Sequence, residues 1–299
     1  MKIGAMLLKP PKSPRDILEV AKRIERAGLD HLWVSHVFGF DSISVMGLIG
    51  REVPRISLGT AVTPTYPRHP TAMAQQGLTT AAFSGNRFTL GIGLSHRKII
   101  EDFMGLSFDK PAHHMREYLS ILMPLARGEQ VSFSGSEYSV SNFRLNIPDV
   151  KPMPVVLGAL GSKMLEIAGE LTDGTNTWMV GHKTMRDHIV PGLKNPKSKV
   201  IGGVPIVLTN QVDQAKEQIS KILKGYGKVP SYRAMLDMEN ADGPADVASV
   251  GDEKKLREEI YKYRDAGVTE FNAYIMHTDD GATERTLQFL SDFRIDEGA

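Results

Sequence analysis

Ile56-Ser57-Leu58-Gly59-Thr60-Ala61-Val62, a short apolar run, is followed at Thr71 to Phe83 by a helical stretch and, after Ser84-Gly85-Asn86, by a second run, Arg87 to Ile92. Two strands separated by a helix rather than a tight turn form a parallel pair joined by a crossover. The same unit recurs in both directions. Toward the amino terminus lie strand one (Lys2 to Leu8), a helix opened by Ser13-Pro14 and ended at Gly28, strand two (His31 to Val34), and a helix capped by Asp41 and running through Leu48. Toward the carboxyl terminus come a long helical region centred on His114 to Leu125 and closed by Gly128, then strand five (Pro154 to Leu157) with its helix Ser162 to Leu171. Strand six spans Thr175 to Val180 and strand seven Val200 to Leu208. The helix Asp213 to Tyr226, the closing helix Asp252 to Ala266, strand eight (Thr269 to Tyr274) and a last helix Arg285 to Phe293 complete the series.

This pattern reads as one (β/α)8 TIM barrel over residues 1–299, with insertions at about 130–150 and 228–250. Gln130 to Leu145 alternate polar and apolar residues around Gly135, which gives a small β-ribbon outside the barrel, and Pro230 to Pro244 read as a loop or short helices over one end. Arg26-Ala27-Gly28-Leu29-Asp30 and Asp265-Ala266-Gly267-Val268-Thr269 each place a helix-ending glycine before a strand. Any α/β protein contains such loops, so a doubly wound sheet is the alternative.

Composition narrows the function. The 299 residues are 41% hydrophobic and 24% charged, which is ordinary for a folded domain. Lys plus Arg (36) balance Asp plus Glu (35), so there is no basic field to hold nucleic acid. The apolar run before Lys9-Pro10-Pro11 is too short for a signal segment, and nothing approaches the roughly 18 to 20 apolar residues of a membrane span, so a cytoplasmic protein is expected. Zero cysteines exclude disulfides, thiolate metal sites and cysteine nucleophiles.

In such a barrel the active site is built from loops at the carboxyl ends of the strands. Here these ends carry Ser35-His36-Val37-Phe38-Gly39-Phe40-Asp41, Thr63-Pro64-Thr65-Tyr66, Gly93-Leu94-Ser95-His96, Gly158-Ala159-Leu160-Gly161-Ser162-Lys163 and Trp178-Met179-Val180-Gly181. Glycines, histidines, hydroxyls and aromatics prevail. No facing carboxylate pair suggests glycoside hydrolysis, and His113-His114 are neighbours on different helix faces, so no metal is expected. Gly91-x-Gly93 lacks the third glycine of a dinucleotide fingerprint. Gly158-x-x-Gly161-Ser162 joins a strand to a helix whose free N–H groups can face a phosphate, although an ordinary turn has the same look. Trp33 and Trp178 read first as core residues, and His69, between Pro67 and Pro70, as part of a rigid loop.

Gly59-Thr60-Ala61-Val62-Thr63-Pro64-Thr65-Tyr66-Pro67-Arg68-His69-Pro70 with Gln75-Gln76, then Arg87-Phe88-Thr89-Leu90-Gly91-Ile92-Gly93, resembles the luciferase-like flavin- or deazaflavin-dependent oxidoreductases. Gly105 to Asp109, His114 to Tyr118, Asp173-Gly174-Thr175 and Pro230-Ser231-Tyr232-Arg233 are similar to an actinobacterial subgroup that uses the deazaflavin coenzyme F-420 (F420). The resemblance implies a homodimeric barrel with F420, or alternatively FMN, over the strand ends. It implies a strand-three bulge with a non-prolyl cis peptide at Ala61-Val62 or Val62-Thr63, and cofactor contacts from Gly93 to His96 and from Gly158 to Ser162. The candidate cofactor contacts are thus Ala61, Val62, Thr63, Gly93, Leu94, Ser95, Gly158, Ala159, Leu160, Gly161, Ser162, Trp178, Val180 and Gly181. The loops Phe38 to Asp41 and Pro230 to Asp242 are expected to shape the substrate site, with Phe38, Phe40, Tyr232 and Arg233 as contacts. His36 and His96 are the candidate catalytic residues, since hydride transfer to an activated double bond leaves an anion to be protonated.

The family's sugar-phosphate dehydrogenases resemble one another in an Asp-His pair after strand two and a Glu after strand four. Ser35-His36 and Ser95-His96 stand at those places. A reductase of a small unsaturated or electron-poor organic substrate is therefore expected. An FMN-dependent luciferase-like monooxygenase and a non-catalytic ligand- or cofactor-binding barrel are the alternatives.

Overall fold

The structure, a computed structural model, describes residues 1–8 and 13–296; the Pro10-Pro11 pair lies outside the described residues. Its strands are β1 (Lys2–Leu7), β2 (His31–Val34), β3 (Ser57–Thr60), β4 (Thr63–Pro64), β5 (Phe88–Gly93), β6 (Val131–Ser134), β7 (Ser139–Phe143), β8 (Val155–Leu157), β9 (Gly174–Trp178), β10 (Lys199–Leu208), β11 (Ser249–Gly251) and β12 (Glu270–Ile275). β1, β2, β3, β5, β8, β9, β10 and β12 pair in parallel in that order, and β12 returns to β1, which closes a barrel. The expected TIM barrel is the fold.

Local chemistry sets the crossovers. Ser13 Oγ accepts from the Asp16 N–H at 3.1 Å, which caps the helix Pro14–Arg26. Gly28 and Gly267 take φ of 74° and 93°, the left-handed conformation that ends both helices before a strand. Asp41 caps the helix Ser42–Glu52, longer than the stretch to Leu48 read from sequence. His69 is itself a cap, its Nδ1 accepting from the Thr71 N–H. The Pro230–Pro244 stretch holds a ten-residue helix, Pro230–Glu239. Residues 182–192, unassigned by sequence, are helical with a π turn at Met185–Ile189, and β11 adds a short strand beside β10.

Alternation along the strands turns large and small residues against each other on the barrel axis. A Cβ on Gly4 would lie 2.0 Å from the His31 ring, and one on Gly59 would lie 2.3 Å from Trp33. Trp33, Val156 and Ile201 fill the axis, while the main core lies between strands and helices.

The ribbon β6–β7 is an antiparallel hairpin outside the barrel. Glu117, on the helix Pro111–Ala126, fastens its turn by accepting from the N–H groups of Ser136, Glu137 and Tyr138 at 2.8, 2.9 and 3.1 Å. Burial pushes this carboxyl up, but the three N–H bonds outweigh burial and hold it at about 2. The ionised form thus contributes stability that is fully present above the ordinary value of 4.5 and lost as pH falls toward 2. Glu117→Gln turns an amide N–H2 toward these donors. It should cost about 1–3 kcal/mol at neutral pH and flatten the acid limb of stability, as read by urea unfolding between pH 3 and 7. An unaltered acid limb would assign that limb to other groups.

Candidate active site

At the carboxyl mouth, β3 breaks off after Thr60 and pairing with β5 resumes at β4, where Thr63 faces Ile92. Thr60 bridges the gap by donating its hydroxyl to the Gly91 carbonyl at 2.7 Å and accepting from the Gly91 N–H at 2.9 Å. Between the two strands lies a cis peptide, Ala61–Val62, in the bulge that the resemblance implied. The Val62 side chain sits among three glycines of neighbouring strands. Added Cβ atoms on Gly93, Gly158 and Gly91 would come within 2.5, 3.1 and 3.3 Å of its methyls. Val62 itself is only half-buried, so this platform is open at the mouth.

His36 stands beside the platform. Its Nδ1 lies 3.2 Å from Ser42 Oγ and accepts from the Ser42 N–H at 3.4 Å, and Ser42 Oγ lies 3.0 Å from Thr63 Oγ1. Because a backbone N–H can only donate, Nδ1 is the acceptor and the proton of the neutral ring is assigned to Nε2. Burial and the Arg68 guanidinium lower the His36 pKa, against the Asp41 carboxylate 3.6 Å from Nδ1. Asp41 does double duty, since it caps its helix through Ser44 and pairs with Arg68. Ser42 was missed in the sequence, where Asp41 was read as a helix cap and part of a substrate loop, and Arg68 only as part of the motif that carries the resemblance.

Ser95, at φ 63°, turns the chain after β5 so that His96 meets the edge of Tyr232, with ring centroids 5.9 Å apart. Tyr232 meets Tyr226 at 5.3 Å, Tyr226 meets Trp178 at 6.0 Å and Trp178 meets Tyr274 at 5.5 Å. The structure thus joins His96, Tyr232 and Trp178 into one aromatic wall through Tyr226 and extends it to Tyr274, two tyrosines that sequence reasoning missed. Burial lowers the His96 pKa as well.

The Gly158–Ser162 turn leads into the helix Ser162–Leu171, with Ala159 buried, Leu160 half-buried, and Gly161 and Ser162 exposed at the helix start. His188 Nε2, 2.7 Å from the Leu160 carbonyl, props this turn from behind. Leu94 is half-buried beside Gly93. Phe38 and Phe40 are exposed, and Phe38 leans on Phe103 at 6.0 Å.

Three expected contacts sit elsewhere. The Val180 side chain is fully buried in the core between strands and helices. Gly181 leaves room for Glu239, whose Cδ would lie 2.1 Å from a Cβ there and whose carboxylate accepts from the Thr184 N–H at 2.8 Å. Arg233 spends its guanidinium on Asp237, the Asp242 carbonyl and the Ala241 carbonyl at 2.7, 2.9 and 2.5 Å, so it fastens its own helix end. Among the described residues no group of three His, Cys, Asp or Glu is arranged for a metal ion, and no helix is long and apolar enough to cross a membrane.

The chain is 32% identical over 156 residues to the 5,10-methylenetetrahydromethanopterin reductase of Archaeoglobus fulgidus, covering 51% of this chain and 46% of that protein. It is 27% identical over 208 residues to the F420-dependent glucose-6-phosphate dehydrogenase of Amycolatopsis mediterranei, covering 65% and 62%. The chain spans about half the length of curated relatives it matches. The solved structure of the coenzyme F420-dependent tetrahydromethanopterin reductase from Methanopyrus kandleri superposes with a TM-score of 0.79 over 99% of both chains at 20% identity, which speaks for the fold alone. The profile of luciferase-like monooxygenases matches residues 1–270, and with that match the chain belongs to the luciferase-like monooxygenase family.

Proposed function

We propose that this protein is an F420-dependent oxidoreductase that transfers a hydride between the deazaflavin and a small organic substrate, acting as a reductase of an unsaturated or electron-poor compound. The observation that carries this reading is the half-open Val62 platform, bare of Cβ atoms at Gly91, Gly93 and Gly158, with His36 at its side. A flat ring system fits such a platform, because the glycines let Val62 sink against the neighbouring strands and leave its open face to the ring. Ala61, Val62, Thr63, Gly93, Leu94 and Ser95 would hold the ring from one side. Trp178 would close it from the aromatic wall. Ala159, Gly161 and Ser162 would present the exposed helix start to a phosphate. When bound, F420 supplies or accepts the hydride.

The remaining chemistry belongs to the chain. His36, held neutral with its proton on Nε2, donates a hydrogen bond to the acceptor atom on which charge develops; the Ser42 N–H fixes its tautomer, and the Ser42 hydroxyl, held by Thr63, steadies the ring. His96 and Tyr232 exclude water from the other side. Phe38 and Phe40 border the substrate. The sites of the two sugar-phosphate carboxylates are taken by Ser35 and by Ser95-His96, which supports reduction over sugar-phosphate oxidation. A homodimer belongs to this reading, with exposed Leu48 and Phe83 on neighbouring helices as the apolar surface for a second copy.

Titration of the purified protein should show F420 binding at micromolar Kd or tighter. Preference for FMN by about tenfold, 1.4 kcal/mol, would replace this reading with the FMN-dependent one, and failure to bind either cofactor would favour a ligand-binding barrel. Gly161→Glu should weaken F420 binding strongly with little loss of stability. Nothing lies within 4 Å of a Cβ there, and φ −79°, ψ 151° suits any residue. Unchanged F420 affinity in this variant would remove the phosphate from the Gly161–Ser162 turn.

A further inference from the structure

The opposite, amino-terminal mouth of the barrel contains a separate cavity of about 180 Å³, whose lining includes Lys2, His31, Trp33, Arg87, Lys199 and Glu270. Its polar groups are out of balance. His31 is 2% exposed, and neither ring nitrogen has a hydrogen-bond partner; the Trp33 Nε1–H, equally buried, has none either. A buried N–H left without an acceptor is costly, so such groups are normally met by a ligand or ordered water. Among the described residues Lys2 and Lys199 take part in no ion pair, although Glu270 is on the same wall. Arg87 is already spent on the Gly50 and Ile56 carbonyls. The lining therefore presents two unspent ammonium groups and two unspent N–H donors, with the Glu270 carboxyl as the principal acceptor, its Oε2 3.6 Å from His31 Nδ1.

We propose that this mouth is a second binding site, for a phosphoryl group, held by Lys2, Lys199 and the N–H groups of His31 and Trp33. Water satisfies the donors but leaves the excess of positive charge unanswered. An oxyanion satisfies both. Glu270 decides which oxyanion. A carboxylate on the wall repels an anion with acceptors alone, such as sulfate, but accepts a hydrogen bond from hydrogen phosphate, which carries an O–H. The volume suits a group of phosphate size rather than a nucleotide, since pockets for larger ligands begin at roughly 300 Å³.

Calorimetric titration of the intact protein with inorganic phosphate and with sulfate, at constant ionic strength and neutral pH, tests this. One phosphate should bind with at least about tenfold preference over sulfate. Lys199→Met should weaken it about tenfold or more, and Glu270→Gln should erase the preference by admitting sulfate. Lys2→Met, at an exposed position, serves if the Lys199 variant does not fold. F420 affinity should be untouched in Lys199→Met, and phosphate affinity untouched in Gly161→Glu, which keeps this site distinct from a cofactor phosphate at the other mouth. Glycerol phosphate competing with phosphate would identify a monoester as occupant, and failure to compete would identify free phosphate; either keeps the site. Absence of phosphate binding, equal binding of sulfate by the unaltered protein, or loss of binding in Gly161→Glu alone would overturn it.

Discussion

Gly91→Ala is expected to destabilise the protein severely, by about 4 kcal/mol or more. A Cβ at this position would stand 1.8 Å from the Thr60 carbonyl oxygen and 3.0 Å from its carbonyl carbon. Those are backbone atoms, and they cannot swing aside, because the Thr60 hydroxyl is bonded to both the N–H and the C=O of Gly91. Relief would mean parting β3 from β5, whose direct pairing is only Leu58 with Phe88 and Gly59 with Thr89. Overpacking in a core usually costs 1–3 kcal/mol, but a clash against fixed backbone belongs to the severe tail, about 4 kcal/mol or more. That is a large share of the roughly 5–15 kcal/mol by which a domain is stable. Gly93→Ala meets the Val62 Cγ2 at 2.5 Å, a side chain that can rotate, so it should fold and lose chiefly cofactor affinity. Urea unfolding of both variants beside Gly161→Ala, whose Cβ meets nothing, measures the order. A Gly91→Ala protein within about 0.5 kcal/mol of the parent would show that Thr60 does not pin β5.

This glycine marks how far the sequence can be read. Gly91-x-Gly93 could be judged locally only against the dinucleotide fingerprint, which it fails, because what it accommodates is Thr60 and Val62 from another strand. His31 to Val34 emerged with its true bounds because a short apolar run between turn residues has one reading. Likewise Ser162 to Leu171, where apolar periodicity and a glycine start agree. Residues 182–192 did not emerge, since Pro191, Gly192 and a π turn interrupt any helical period. Helix Pro230–Glu239 carried signals, proline at its start and a left-handed Asn240 after it, but its polar sequence reads equally as a loop. The site divides in the same way. Residues at strand ends could be named from order along the chain, and the resemblance supplied the bulge. Tyr226 and Tyr274 join the aromatic wall through contacts far apart in sequence, and the bonds by which Arg233 fastens its helix end could not be read locally.

The two histidines, equivalent by position in the sequence, are expected to part in kinetics. His36→Ala should lower turnover by roughly 10²-fold, the lower range for loss of a catalytic acid, base or comparable hydrogen-bond donor, while F420 affinity stays near that of the parent. His36 is oriented by Ser42 and, through Ser42, by Thr63, so its Nε2–H has a defined direction, and its lowered pKa keeps the ring neutral at pH 7. His96 has ring packing on Tyr232 and no orienting hydrogen bond among the described residues. Its removal opens the aromatic wall and should raise KM more than it lowers kcat. Ser42→Ala keeps the backbone N–H that fixes the tautomer and removes the hydroxyl link to Thr63, so its loss of kcat should fall between those of the two histidine variants. Acid protonates Nδ1 of His36, which then turns from the Ser42 N–H toward the Asp41 carboxylate and takes Nε2–H out of line, so kcat should fall on the acid side with a midpoint below 6.5, and that limb should vanish in His36→Ala. Steady-state kinetics on a reducible substrate, with F420 binding measured separately, distinguishes the roles. Full turnover in His36→Ala would move the charge-stabilising role to another group, and a kcat loss in His96→Ala as large as that in His36→Ala would make both rings part of the chemistry.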